Sequence, residues 1–477
     1  MKDVFKKTNI ICTIGPASKD KLEEMLKAGM NIARLNFSHG SEETLNDIVE
    51  NFKKTRDKLG VAAGLLMDMQ GPEIRLGVFE EEIKDGVLLK SGDKVSFIPD
   101  KVPCTKDVYS ITYENFYKDV KPGHKLLIDD GLVELRVDKV EGKTVHATVI
   151  NGGMVKEKKG LNAPKTILNI PALKEKDYKD LEYAVRAGFD FVAGSFVRSK
   201  DDVMAIRNEL DKNGGKDIKI ISKIENQQGL DNIKEIIELS DGIMVARGDL
   251  SVEVPMEIVP IYQKNIIRYC NEAGKPVIIA TQMLESMINN PLPTRAETSD
   301  VANAVYDRAS AIMLSGESAV GKYPVRCVET MSKIARSVEQ NVKYANRVKL
   351  ENREYKTIDE KDAYIAINSV KKIGANAIIA YTNSGNTIRH LSSLAPDIPI
   401  FTVTGNIKTY NQLSLIWNVF PIYIKSSKDI DKMINEAIDA LIKLEIIEKG
   451  DLIYITGGTT FVESAKDSKR VGGIAIF

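Results

Sequence analysis

Eight short apolar runs, spaced along the first two thirds of the chain, constrain the fold more than any other feature. They cover Thr8–Ile14, Asn31–Phe37, Ala63–Met69, Asp190–Phe196, Ile218–Ile224, Gly242–Ala246, Pro276–Thr281 and Ser310–Ser315. Near-continuous apolar runs of this length suit strands buried on both faces. Between most of them lies one amphipathic segment with polar flanks, for example Lys19–Ala28, Glu42–Leu59, Lys176–Ala187 and Lys200–Leu210. Eight strand–helix units in succession predict an α/β chain folded as a (β/α)8 TIM barrel. A doubly wound open sheet would need a reversal of strand order, which the pattern leaves open.

One stretch falls outside that count. From Glu73 to roughly Pro171 apolar and polar residues alternate, over Gly86–Lys90, Lys94–Ile98, Lys125–Ile128, Leu132–Val137 and Thr144–Ile150. Ser-Gly, Pro-Gly, Asp-Gly and Gly-Gly pairs punctuate it, the pattern of antiparallel strands joined by turns. We expect a small inserted β-barrel domain over 72–164, dividing the main barrel into 1–71 and 165–340. Because it leaves after the third strand it rises from the carboxyl-end rim as a lid, with hinges at Gly71-Pro72 and around Gly160–Pro164. Beyond residue 340, helical and strand patterns mix over Lys361–Ile373, Ala377–Tyr381, Ile398–Val403, Phe420–Ile424, Asp431–Leu444 and Asp451–Ile455. They predict a three-layer α/β domain over 341–477.

Composition closes off other classes. The 67 basic and 67 acidic residues balance to zero, so global charge points neither to nucleic acid nor to a membrane surface. No apolar stretch is long enough to cross a bilayer, and the opening Met-Lys-Asp-Val-Phe-Lys-Lys has no apolar core behind it. Cys12, Cys104, Cys270 and Cys327 form no Cys-x-x-Cys pair and read as buried hydrophobes in a reducing compartment. The expectation is a cytoplasmic protein without nucleic-acid or membrane partners.

In such a barrel the carboxyl ends of the strands carry the chemistry. Here they hold Arg34, Asn36 and Ser38 with His39-Gly40; Asp68 with Gly71-Pro72-Glu73-Ile74-Arg75; Ser195-Phe196; Lys223 and Glu225; Arg247-Gly248-Asp249; Thr281-Gln282; and Ser315-Gly316-Glu317. The stretch Ile218–Ala246, with a helix-like crossover at Gly229–Leu239, is a parallel unit, so Lys223, Glu225, Arg247 and Asp249 open on one side. A salt bridge at strand ends is the plainer reading of that group. Two carboxylates with no Cys or His beside them favour magnesium or manganese over zinc. Arg34, Arg75 and Lys223 supply positive charge for phosphate oxygens. A carboxylate-held cation facing a basic cluster suits phosphoryl transfer, which depends mostly on positioning and charge neutralisation. In the last domain, Thr382-Asn383-Ser384-Gly385-Asn386-Thr387 follows a strand and opens a helix, as an anion site or a simple N-cap. The turn Thr456-Gly457-Gly458-Thr459-Thr460 is a candidate to face it.

Longer motifs add a resemblance. Arg34-Leu-Asn-Phe-Ser-His-Gly40, Asp68-Met-Gln-Gly-Pro-Glu-Ile-Arg75, Ile221-Ser-Lys-Ile-Glu225 and Met244-Val-Ala-Arg-Gly-Asp249 resemble the pyruvate kinase family. So do Ala280-Thr-Gln-Met-Leu-Glu-Ser-Met287, Pro293-Thr-Arg-Ala-Glu297, Ser299-Asp-Val-Ala-Asn-Ala304 and Leu314-Ser-Gly-Glu317. The resemblance implies a cytoplasmic homotetramer that transfers the phosphoryl group of phosphoenolpyruvate to ADP, giving pyruvate and ATP in glycolysis. It implies that Glu225 and Asp249 bind Mg2+ or Mn2+, and that Arg34, Lys223, Gly248, Asp249 and Thr281 contact phosphoenolpyruvate. Lys223 would meet the phosphoryl group in flight. Thr281, with a relay that includes Ser315, would protonate the enolate. Asn36, Ser38, Asp68 and the Met69 carbonyl match a K+ site; His39, Arg75 and Lys159 match positions facing the nucleotide phosphates. Thr382, Ser384, Gly385 and Thr387 would take a phosphorylated effector.

Some residues depart from the family pattern. Potassium-dependent members read Thr-Lys-Gly-Pro-Glu-Ile-Arg-Thr after the aspartate, whereas Met69, Gln70 and Leu76 resemble potassium-independent members. Those members carry Lys where this chain has Glu73. The acidic residue leaves a charge deficit for a monovalent cation, so potassium activation is expected. Ser251 replaces a common Gly, and Gly160-Leu-Asn-Ala-Pro-Lys165 departs from the usual hinge. No phosphohistidine-type domain is expected after Phe477. Gly316-Glu-Ser-Ala-Val-Gly-Lys322 fits Gly-x4-Gly-Lys, but Tyr323-Pro324 follows in place of the hydroxyl residue that a phosphate loop needs. Two rivals are a metal-dependent pyruvate-forming lyase or aldolase on the same barrel and a non-catalytic sensor. The lyase has no use for Arg75, a lid or a nucleotide; Lys223, Glu225, Asp249 and Thr281 argue against the sensor.

Overall fold

The structure is a computed structural model that describes residues 5–38, 40–346, 353–425, 430–448, 450–457 and 472–476. Eight strands close into a parallel barrel in sequence order: Asn9–Thr13, Ile32–Asn36, Gly64–Asp68, Phe191–Gly194, Lys219–Ile224, Gly242–Ala246, Val277–Ala280 and Ala311–Leu314. The ring closes where the first strand pairs with the eighth, Asn9 opposite Ala311. Side chains alternate along each strand. Ile11, Ile32, Leu66, Ile221, Met244 and Ile278 fill the interior, while Ile10, Ala33, Leu65, Ile220, Ile243 and Ile279 face the helices. Both faces of each strand are therefore largely apolar, which made the eight runs conspicuous in the sequence.

The inserted segment hangs from the third strand. Gly71 has φ +71°, and a Cβ there would lie 2.8 Å from the Ser195 Cβ, so the chain turns out of the barrel at a position that suits only glycine. Its N–H donates to Asp177 Oδ1 at 3.3 Å. Beyond it, strands Leu161–Asn162, Lys125–Ile128, Val133–Glu141, Thr144–Asn151, Lys94–Ile98 and Val108–Ser110 form a six-stranded sheet with its own core, beside a ribbon of Val87–Leu89 and Gly153–Val155. The outgoing and returning chains pair where Arg75 meets Gly160.

The C-terminal unit has a five-stranded sheet ordered Val419–Tyr423, Ile400–Thr404, Ala377–Tyr381, Leu452–Gly457, Gly472–Ile476, with only the last strand antiparallel. Apolar clusters cover both faces, one including Ile367 and Leu391 and the other Met433 and Leu441. Three layers result. This unit seals the amino-end floor of the barrel. Leu415 joins the barrel's interior cluster, and Gln412 Nε2 donates to the carbonyls of Asp190 (3.1 Å) and Asp217 (2.7 Å). Tyr410 donates to the Gly60 carbonyl, and Lys408 to that of Phe189. Burial lifts the Asp190 carboxyl to about 6 against the pull of Lys408 and Arg56. With the floor plugged, the carboxyl-end rim beneath the lid remains open for chemistry.

Because Leu415 is 1% exposed at the end of the barrel core, Leu415→Ala is expected to cost about 2–5 kcal/mol in chemical denaturation. Leu444→Ala, at a residue 67% exposed, should change stability by less than about 0.5 kcal/mol. An unchanged denaturation midpoint for Leu415→Ala would contradict the plug.

Candidate active site

The rim is organised around Lys223, at the end of the fifth strand. Its ammonium lies 3.2 Å from Asp68 Oδ1 and 2.9 Å from Glu225 Oε1, and donates to Ser195 Oγ at 2.7 Å. Burial would strip its proton, but Asp68, Glu225 and Asp249 outweigh that and raise its affinity for the proton above that of an ordinary lysine. Asp68 is equally enclosed. Despite burial, Arg34 and Lys223 hold its carboxyl below the usual range, Arg34 Nε donating to Asp68 Oδ2 at 2.6 Å. Thr13 fixes Arg34 from the neighbouring strand, accepting from its Nη1 at 2.7 Å. Ser195 completes the frame by donating to the Met69 carbonyl at 2.7 Å.

Glu225 is fully buried, and burial pushes its carboxyl up to about 8, with Asp249 adding to the rise and Lys223 opposing it. Its Oε2 accepts the Phe196 N–H at 2.6 Å, from a residue held at φ 54°. Its Oε1 lies 2.9 Å from the Lys223 ammonium and accepts no further hydrogen bond. Asp249 stands in the first turn of the helix Arg247–Glu253, directly after the sixth strand, which pairs with the fifth through Ile224 and Val245. A carboxylate oxygen with spare acceptor capacity beside a second carboxylate fits a hard cation. Among the described residues no group of three or more His, Cys, Asp or Glu surrounds one point, so the protein itself offers two carboxylates. Ser251, the departure next to this helix turn, donates to the Gly248 carbonyl at 2.8 Å.

Across the rim, Thr281 and Gln282 both occupy the left-handed region, at φ 69° and 53°. Arg247 holds that turn: Nη2 donates to the Thr281 carbonyl at 2.7 Å, Nε to that of Ala280 at 3.2 Å, and Nη1 pairs with Asp300. Thr281 Oγ1 accepts the Gly248 N–H at 2.8 Å, which ties this hydroxyl to the Asp249 turn. Buried Glu317 accepts the N–H groups of Ser315 (2.7 Å) and Leu284 (3.0 Å), coupling the ends of the seventh and eighth strands.

The remaining expected residues fall into three places. Asn36 is the register partner of Asp68 and accepts the Ser38 N–H, so the four expected K+ ligands share one edge. Arg75 pairs with Glu73 at 2.6 Å, whose carbonyl also accepts from Lys174. In this arrangement Arg75 covers the Glu73 carboxylate. On the lid, Lys159 pairs with Asp129 at 2.8 Å, and Asn162 donates to Glu253 at 3.0 Å across the cleft. That cleft, about 90 Å³, is lined by Asp130, Asn162, Phe196, Arg198, Asp249 and Glu253 among others. His39 lies outside the described residues. In the C-terminal unit, Thr382 caps the loop by accepting the Gly385 N–H at 2.9 Å, with Ser384 exposed and Thr387 half-buried at the start of helix Asn386–Ser393. Of the facing turn, residues 458–460 lie outside the described residues.

Comparison with known proteins identifies the family. Residues 5–328 match the family model "Pyruvate kinase, barrel domain" and 360–471 match "Pyruvate kinase, alpha/beta domain". The chain belongs to the pyruvate kinase family. It is 45% identical to a pyruvate kinase of Staphylococcus saprophyticus, over 95% of this chain and 78% of that one. It is 44% identical to one of Clostridium perfringens, over 97% of this chain and all of the relative. A pyruvate kinase of Clostridium acetobutylicum is 43% identical, over 95% and 96% of the two chains. The chain is accordingly an enzyme, and the kinase reading prevails over the lyase and the sensor.

Sequence reasoning placed the pyruvate kinase motifs but gave no role to Ser195, Thr13, the Phe196 N–H or Glu317, beyond noting Ser195-Phe196 and Glu317 at strand ends. Only pairing between strands reveals their function. Ser195 accepts from Lys223 and donates to the Met69 carbonyl, contacts that suit a positioning residue. Ser195→Ala is expected to lower kcat about tenfold, the loss of one charge-assisted hydrogen bond, with a smaller change in KM. Steady-state kinetics with a kcat within about twofold of wild type would contradict that role.

Proposed function

We propose the following division of labour for the reaction of this family, phosphoryl transfer from phosphoenolpyruvate to ADP with pyruvate and ATP as products. Arg34 grips the substrate phosphate from one side, held in place by Asp68 and Thr13. Lys223 stays an ammonium and meets the phosphoryl group as charge spreads over its oxygens, an interaction strongest in the transition state. Gly248 and Asp249 lie beside the substrate carboxylate. A β-phosphate oxygen of ADP forms the new bond to phosphorus as the bond to the enol oxygen breaks, leaving pyruvate enolate. Thr281 then delivers a proton to the enolate carbon, resupplied through Ser315. The single observation that supports this reading most is the convergence of Lys223, Asp68, Glu225 and Ser195 on one buried point.

Glu225 and Asp249 would hold the divalent cation, Mg2+ or Mn2+, which when bound neutralises substrate carboxylate and phosphate oxygens. Asn36, Ser38, Asp68 and the Met69 carbonyl, all oxygen donors, would hold K+. Arg75 and Lys159, released from Glu73 and Asp129, would face the nucleotide phosphates, with His39 beside them. Thr382, Ser384, Gly385 and Thr387 would take a phosphorylated effector. We place the enzyme in the cytoplasm as a homotetramer; among the described residues no helix is long and apolar enough to cross a membrane.

The test is pyruvate release from phosphoenolpyruvate, ADP and magnesium, run at matched ionic strength with and without potassium. We expect ADP-dependent release, faster with potassium, and a fall of at least about a hundredfold in Lys223→Met. Equal rates in both salts would remove the monovalent site, and a fully active Lys223→Met would remove the lysine from the chemistry.

A further inference from the structure

Two chains join the lid to the barrel, and one buried carboxylate fastens both at the barrel end. Asp177, in the helix Glu175–Arg186, accepts the Gly71 N–H at 3.3 Å and the Lys174 N–H at 2.8 Å. Lys174 Nζ reaches back to the Glu73 carbonyl at 2.7 Å. The outgoing chain is therefore fixed to the barrel as far as Glu73. The returning chain passes from lid to barrel later than its Gly and Pro residues suggest. Leu161–Asn162 pairs with the lid strand Lys125–Ile128, and Thr166 bonds His124 of the lid at 3.1 Å. The stretch Gly160–Pro164, where a hinge was expected, is thus still part of the lid.

The passage comes at Leu168–Ile170, and Arg198 makes it. Its Nη1 donates to the Leu168 carbonyl at 3.0 Å and its Nη2 to the Ile170 carbonyl at 2.7 Å. Asp202, in the first turn of the helix Lys200–Lys212, orients the guanidinium by accepting from Nε (3.1 Å) and Nη2 (3.0 Å). The side chains of this pair are only 14% and 13% exposed, so water competes little for charge-assisted bonds of this kind. Between the two gripped carbonyls, Asn169 turns to the lid. Its N–H and Nδ2 donate to Asp119 Oδ2 (2.9 Å) and Oδ1 (2.8 Å), on the lid helix Phe116–Asp119. Ile170 belongs to the lid core and Leu168 packs against it. The barrel holds this segment by its carbonyls while the lid holds its side chains, which makes it the point on which the two can turn. Such a turn must break the Asn162–Glu253 bond across the cleft, but it leaves the Arg198 bonds whole.

We propose that Arg198 is a positioning residue for nucleotide binding: it fixes the fulcrum of the lid at Leu168–Ile170 and so sets where Arg75 and Lys159 come down over the rim, an inference that rests on the assignment of those two residues to the nucleotide phosphates. A lysine cannot take its place, because one ammonium does not serve two carbonyls and a carboxylate in a single plane. Without the guanidinium the lid stays attached through both chains but loses its fixed axis. That weakens the ADP complex and spares the phosphoenolpyruvate subsite, whose residues sit on the barrel.

Two measurements on the full-length enzyme separate the fulcrum from the nucleotide assignment. In Arg198→Ala, amide hydrogen exchange over residues 166–173 should be faster than in the wild type by about tenfold or more, the loss of two charge-assisted hydrogen bonds. The barrel strand Lys219–Ile224 should exchange as before. In steady-state kinetics the same variant should raise the KM for ADP about tenfold and leave the KM for phosphoenolpyruvate within about twofold. Arg198→Lys, which restores one carbonyl contact, should fall between Arg198→Ala and the wild type in both readouts, and it carries the same test if the alanine variant does not fold. Unchanged exchange over 166–173, or a rise shared equally by Lys219–Ile224, would overturn the fulcrum. A wild-type KM for ADP despite faster exchange would overturn the positioning role. Lys159→Gln should raise the KM for ADP without changing exchange; if that KM does not move, the assignment of Lys159 fails, and exchange in Arg198→Ala still decides the fulcrum.

Discussion

An ammonium buried in protein must be surrounded by acceptors, or it gives up its proton. Lys223 meets that condition with Asp68, Glu225 and Ser195, and the rest of the rim follows from it. The three partners come from the ends of the third, fifth and fourth strands. They meet only because adjacent parallel strands in a closed barrel reach the rim at matched levels, as when Asn36 stands opposite Asp68 or Ile224 opposite Val245. The apolar interior and the Leu415 plug supply stability at the other end of the same cylinder. Chemistry and stability are thus divided between the two rims.

The charge balance of the rim explains what such a site can accept. Asp68 and Asp249 stand against Lys223 and Arg34, while burial and Asp249 push the third carboxyl, that of Glu225, up to about 8. Its Oε1 meets the Lys223 ammonium at 2.9 Å and accepts no further hydrogen bond. A dication held there would drive off the Glu225 proton and supply positive charge that favours anionic substrates. The lid has similar pairs in reserve. Arg75 pairs with Glu73, Lys159 with Asp129 and Asn162 with Glu253, and on the proposed reading an incoming nucleotide would exchange these contacts for its own phosphates.

Much of this was legible in the sequence, for a physical reason. A strand buried on both faces carries few polar residues until it nears the rim, so charges such as Lys223, Glu225 and Asp249 mark the rim at or just beyond the end of an apolar run. The run Gly242–Ala246 coincides with its strand, whereas Ser310–Ser315 overshoots Ala311–Leu314 by one residue at each end. The lid was legible from alternation, and Lys94–Ile98 and Lys125–Ile128 are strands as expected. Gly229–Leu239 was read as one helix but forms two, Gln227–Asp231 and Ile233–Leu239, meeting at Asn232. What stayed hidden depends on distant neighbours. Ser195 and Thr13 are ordinary hydroxyls until strand pairing sets them beside Lys223 and Arg34. Leu415 is one leucine among many until the C-terminal unit docks. The compensation of Glu73 by Arg75, two residues away, was within reach of the sequence but needed the backbone turn that lets them meet.

Binding of Mn2+, followed by electron paramagnetic resonance on the free enzyme and three variants, tests most directly whether the dication and the Lys223 ammonium share Glu225. Glu225→Gln and Asp249→Asn should each weaken binding by about tenfold or more. Lys223→Met should bind at least as tightly as wild type, because the ammonium that competes for Glu225 Oε1 is gone. Unchanged affinity in either carboxylate variant, or loss of binding in Lys223→Met, would contradict the shared site.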